Sequence, residues 1–173
     1  MESLAFRVDV ERGWSYLGHD LSPAPSKDDS VGAAIESLSK QPFGSSGTLT
    51  AVATITSALK EIGLRRTGYS GLMLPILEDP ILAERWNSGT VSLDALMSYS
   101  AVCGTGLDTV PLPGDISVDT LARIIGDVAS LAVKWNKPLS ARLLPVAGKH
   151  PGDRTAFTDP TLLNTTIQPL TPH

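Results

Sequence analysis

Apolar residues recur along this chain at two different spacings. In SVDTLARIIGDVASLAVKW, Leu121, Ile124, Ile125, Val128, Leu131 and Trp135 return every three or four positions, the repeat of a helix with one face against a core. Ser117 is placed to cap that helix, Asp119 suits its positive end, and Lys134, Lys137 and Pro138 close it. The same repeat predicts three more helices. They lie in SVGAAIESLSK (Val31, Ala34, Ile35 and Leu38, behind Asp29 or Ser30), SGTLTAVATITSALK (Leu49, Val52, Ile55 and Leu59) and SLDALMSYSAV (Leu93, Leu96, Met97 and Ala101). The last runs directly into Cys103.

Between the helices the apolar runs are short and nearly continuous: GLMLPIL at 71–77, LDTVPLP at 107–113 and ARLLPV at 141–146. Runs without polar alternation suit strands covered on both faces, as in a parallel sheet. LAFRVDV and LLNTTIQPL, near the two ends, are weaker strand candidates. Pro75, Pro111 and Pro145 are expected at strand ends or bulges, since proline offers no N–H to a ladder. The order strand, helix, helix, strand, helix, strand, helix, strand, strand predicts one α/β domain over residues 1–173 with a largely parallel sheet. Ligand sites in such folds gather outside the carboxyl ends of strands. That singles out EDP at 78–80, GDIS at 114–117 and AGKHPGD at 147–153, all acidic, the last adding Lys149 and His150.

Length and composition narrow the function classes. The 173 residues are 42% hydrophobic and 18% charged, enough apolar content for a packed core. The net charge of −4, without a basic run, argues against nucleic acid as a partner. No apolar stretch approaches the roughly 20 residues a membrane span needs. A single cysteine and a start lacking a secretory pattern lead us to expect a soluble protein of the reducing cytoplasm.

Candidate chemistry concentrates in CGTGLDTVPLPGD, residues 103–115, which holds the only cysteine, three glycines, two prolines and two aspartates. Glycine and proline weaken element interiors, so the stretch reads as a shaped loop lining a site. Gly104 or Gly106 is expected at a positive φ, and Asp115 before or at the cap of the following helix. Cys103 is either a small buried hydrophobe or a nucleophile. Its place at a helix C-terminus disfavours the thiolate. GTGLDT lacks the third glycine and the following helix of a dinucleotide fingerprint. PFGSSGT, with Ser46 and Gly47 before a helix, either caps that helix or presents free N–H groups to a carboxylate or phosphate. Glu78, Asp79, Asp108, Asp115 and Asp153 are solvated loop ends and caps, or oxygen ligands of a hard cation if three of them meet. Arg142, inside an apolar run, needs a carboxylate such as Asp108, or a ligand. His19 and Asp20 in GHDLSPAPS serve turn geometry or a site.

Five ordered motifs carry a family resemblance: GHDLSPAP, PFGSSGTL, GYSGLMLPILED, YSAVCGTGLDTVPLPGD and KPLSARLLPVAGKHPGD. Together they resemble the later half of domain of unknown function family 711. The resemblance implies half of a ten-stranded α/β barrel like that of pyruvate formate-lyase, in a family of longer chains, so that this chain is expected to be a fragment or short form. It implies no particular reaction. RRTGY at 65–69 matches the letters of a glycyl-radical context, but it precedes Cys103 and leads into a predicted strand, so we read it as coincidence.

Two functions follow as expectations. One is an enzyme, or remnant of one, acting on a small anionic metabolite: Cys103 as nucleophile or hydrogen donor, Asp108 as orienting group or base, and Arg142 as anion clamp. Gly104, Thr105, Gly106, Asp115, Ser46 and Gly47 line its ligand site. The other is a noncatalytic binding or assembly module, forming a homo-oligomer or associating with a missing barrel half. Neither cofactor nor metal is specified by the residues.

Overall fold

The structure, a computed structural model, describes residues 2–25 and 29–170. It is α/β, with helices around a small parallel sheet. Four helices form where the apolar repeat places them: α2 (Val31–Ser39), α3 (Thr48–Glu61), α5 (Leu93–Ser100) and α6 (Val118–Trp135). Their starts follow from side-chain caps, Ser30 accepting from the Ala33 N–H, Ser92 from Ala95 and Ser117 from Thr120. α6 ends where Asn136 turns left-handed. Two further helices are α1 (Glu2–Arg12) and α4 (Pro80–Asn87). The cap Asp79 with Pro80 in the first turn was a legible start signal for α4.

β1 (Gly106–Pro113) and β2 (Ser140–Val146) pair in parallel across the α6 crossover. All eight residues of β1 are buried. The 71–77 run lies along its other side, joined by the Pro75–Asp108 bridge and an Ile76 N–H donated to the Asp108 carbonyl (3.2 Å). The core sits where these three segments meet the helices, and its fully buried members include Ile35, Phe43, Val52, Leu72, Ile76, Leu82, Trp86, Leu107 and Leu112.

Several expectations need correction. LAFRVDV is helical within α1, because Glu2 in its first turn and Arg12 in its last complement the helix dipole. LLNTTIQPL forms no strand; it folds back by an Arg154–Thr166 bridge and a Leu163 N–H donated to the Leu77 carbonyl. Among the described residues the expected five strands are therefore two, with one bridged run beside them. The α3 stripe is also rotated: Thr48, Ala51, Val52 and Thr56 face inward while Leu49 is exposed. In β1 and β2 the pairing runs through Pro111 and Pro145 rather than stopping at them.

Candidate functional site

The Cys103 loop stands at the amino end of β1, where α5 delivers the chain. Its tightness comes from two glycines. A Cβ on Gly104 would lie 2.6 Å from the Gly71 Cα, so the two backbones touch, and Gly106 has φ +103°. Cys103 is fully buried, and its sulfur accepts the Gly106 N–H at 3.3 Å. Thr105 is buried, its hydroxyl without a partner among the described residues. Lys137 reaches the same loop, donating to the Cys103 carbonyl. Burial, and the nearby Lys60 charge, push its ammonium pKa down despite an opposing pull from Cys103. The shallow groove beside it, about 370 Å³, is lined by α3 residues including Thr56 and Lys60, and by Ala101, Val102, Trp135 and Lys137.

Asp108 lies further along β1. Between the pairs Leu107–Ala141 and Val110–Leu143, β1 has two residues and β2 one, a bulge that sets Asp108 and Thr109 against Arg142. Thr109 has φ +43°, a strained conformation for a β-branched residue. Its hydroxyl accepts the Leu77 N–H at 3.2 Å, which helps hold the bulge. The bulge aims the Asp108 carboxylate at Arg142. One carboxylate oxygen takes the Arg142 Nε–H; the other, Oδ2, is buried and has no partner among the described residues. Arg142 also meets Glu78 at 3.0 Å. The hydrogen bond to Asp108 raises the guanidinium pKa against the opposing effect of burial, with the Glu78 charge helping. Asp108 is 1% exposed, Glu78 28% and Arg142 48%, so the last two form the solvent side of the cluster.

Residues expected to converge are spread along the sheet. Asp115 is beyond the carboxyl end of β1, paired with His150 at 3.1 Å with both side chains 63% exposed, and Ser117 rather than Asp115 caps α6. Seven strand steps separate Gly106 from Pro113, roughly 23 Å at about 3.3 Å per residue. Cys103 and Asp115 therefore cannot touch one small ligand. Ser46 and Gly47 are exposed at the start of α3, about 13 Å of helix from Thr56, which borders the Gly71–Gly104 contact. Among the acidic residues, Asp79 is a double cap, accepting from Ser30 Oγ and Gly32 N on α2 and from Ile81 and Leu82 N on α4. Among the described residues no group of three His, Cys, Asp or Glu side chains could hold a metal ion. Asp20 is a turn former: burial opposes ionisation, but hydrogen bonds from Ser22, Ser70 and Tyr69 outweigh it and lower its pKa. Among the described residues no helix is long and apolar enough to cross a membrane.

Residues 2–159, which contain the Cys103 loop and the bulged strand, match the family model described as Uncharacterised ACR (DUF711). The chain belongs to this family. Similar DUF711 relatives are UPF0210 proteins. That of Pyrobaculum aerophilum is 41% identical over 158 residues, 88% of this chain and 35% of the relative. Those of Pyrobaculum arsenaticum and Syntrophobacter fumaroxidans are 40% and 39% identical, over 88% and 79% of this chain. The chain spans about a third of the length of these curated relatives.

The missed features are Thr109, Lys137 and Gly71. A positive φ at threonine leaves no sequence signal, and the Gly71–Gly104 contact joins residues far apart in the chain.

Proposed function

We propose that this DUF711 chain carries one wall of a small-molecule site centred on Asp108, in a protein with an enzymatic architecture. On this reading the 71–77 run, β1 and β2 belong to one half of a pyruvate formate-lyase-like barrel, and the Asp108–Arg142–Glu78 face looks toward its interior. The observation that carries the proposal is the unpartnered, buried Asp108 Oδ2 in a strained bulge. An unused acceptor next to an anchored one suits a ligand that donates a hydrogen bond. The cluster of two carboxylates and one guanidinium is net negative, and Arg142 already has two anionic partners. The ligand favoured here therefore presents an ammonium, amide or hydroxyl, rather than the anion expected from sequence. Oδ2 is buried, so a ligand reaches it only after a local side-chain shift. In a reaction that deprotonates the donor, Oδ2 is the acceptor. Cys103, sealed and hydrogen-bonded, plays a packing role.

A thermal-shift panel of small ammonium-, hydroxyl- and carboxylate-bearing metabolites tests this. At ten times Kd a ligand adds about 1.4 kcal/mol, or about 3–5 °C for a chain of this size. Donor-bearing compounds should give that shift, Asp108→Asn should abolish it, and Asp115→Asn should leave it intact. A response confined to carboxylates and lost in Arg142→Lys would overturn the assignment.

A further inference from the structure

The groove beside the Cys103 loop collects two lysines from separate elements. Lys60 stands in the last turn of α3, and Lys137 in the link between α6 and β2. No Asp or Glu lines the groove, and among the described residues neither lysine has an ion-pair partner. Two cations set together without a carboxylate repel each other, and an anion seated between them relieves that repulsion. Lys137 is the more firmly placed of the two. Its backbone N–H donates to the Ala132 carbonyl at 3.1 Å, just past the left-handed Asn136, and three residues on the Ser140 N–H donates to the Thr105 carbonyl. Its side chain is half-buried with Nζ donating to the Cys103 carbonyl, whereas Lys60 is exposed. Ala101, Val102 and Trp135 supply apolar walls.

We propose that Lys137 forms an imine with a small carbonyl compound that carries an anionic group, the anion being held by Lys60. This site uses none of the Asp108 cluster and does not rest on that reading. Attack on a carbonyl needs the neutral amine. Burial favours it: desolvation, helped by the Lys60 charge, lowers the Lys137 pKa against an opposing pull from Cys103. The neutral amine keeps one N–H on the Cys103 carbonyl and has its lone pair free for the incoming carbon. The C–N bond forms as the carbonyl π pair moves to oxygen, and one nitrogen proton passes to that oxygen. A second proton, from solvent, lets the oxygen leave as water while the nitrogen pair closes the C=N bond. Counted from the ammonium form, ammonium plus carbonyl gives iminium plus water, with no oxidant or reductant. The one N–H left on the iminium still has the Cys103 carbonyl as acceptor. The groove volume of about 370 Å³ lies near the lower end of the usual range for ligand sites, which suits a compound of metabolite size.

Reductive trapping on this chain tests the site, with glyoxylate and cyanoborohydride near neutral pH followed by peptide mapping in a mass spectrometer. Lys137 should be alkylated at least about fivefold faster than the exposed Lys40 and Lys134, as befits a desolvated lysine beside a second cation. Acetaldehyde, which carries no anion, should show a smaller preference for Lys137. Lys60→Gln, on an exposed side chain, should leave the circular dichroism unchanged and cut glyoxylate labelling of Lys137 several-fold, while Lys60→Arg should keep most of it. Labelling of Lys137 no faster than that of Lys40 and Lys134 overturns the proposal. A preference that survives Lys60→Gln, or that is as strong with acetaldehyde, overturns the anionic class of ligand and the role of Lys60.

Discussion

Gly106→Ala tests the claim that the Cys103 loop and the start of β1 have one permitted backbone. Gly106 opens β1 opposite Ser140 with φ +103°, in the range that side chains with a Cβ avoid. An added Cβ would overlap the Ser140 carbonyl oxygen, and would lie 3.1 Å from Ser140 N and 3.3 Å from Leu139 Cβ. The Ser140 N–H donates to the Thr105 carbonyl at 2.7 Å, so relief by moving β2 breaks the first link of the sheet. The positive φ costs about 1–2 kcal/mol and the overlap about 1–3, together about 2–5 kcal/mol. With a urea slope of about 2 kcal/mol/M, the unfolding midpoint should fall by about 1–2.5 M. Gly126→Ala is the matched control. It adds the same methyl in open space within α6, so it should raise stability by about 0.5–1 kcal/mol. Midpoints that move together, or a Gly106→Ala midpoint within about 0.2 M of the parent, which is about 0.4 kcal/mol at that slope, would refute the reasoning.

Asp79→Ala should cost about 2–4 kcal/mol in the same titration, because one carboxylate caps α2 and α4 together; a loss below about 1 kcal/mol would mean that water replaces it. Glu36 joins α2 to α4 through Arg85, whose hydrogen bond, with that from the Phe43 N–H, outweighs burial and lowers its pKa from 4.5. A lowered folded-state pKa gives stability that is complete above about pH 4.5 and is lost as the pH falls through the folded value. Glu36→Gln should therefore flatten the acid limb of a stability–pH curve, and an unchanged limb would exclude this pair as its source.

Local chemistry made much of the frame readable in advance. The three-and-four spacing in 118–135 and the serines at 30, 92 and 117 specify helices by themselves, since a cap and a buried face are properties of neighbouring residues. The positive φ of Gly106 and the contact of Arg142 with Asp108 were equally legible: the first needs only glycine's freedom, the second only an arginine in an apolar run. Placement along the sheet was not. Cys103, Asp108 and Asp115 sit within thirteen residues, yet eight consecutive residues from Gly106 are a strand rather than a loop, and an extended backbone carries its two ends about 23 Å apart. The bulge that turns Asp108 toward Arg142 comes from tertiary packing, because Thr109 takes φ +43° only while β2 and the 71–77 run hold β1 from both sides. Which α6 residues face solvent was decided in the same way. The sequence supplies an apolar arc of roughly 220°, and α5 and β2 beneath it fully bury only Ile124 and Val128.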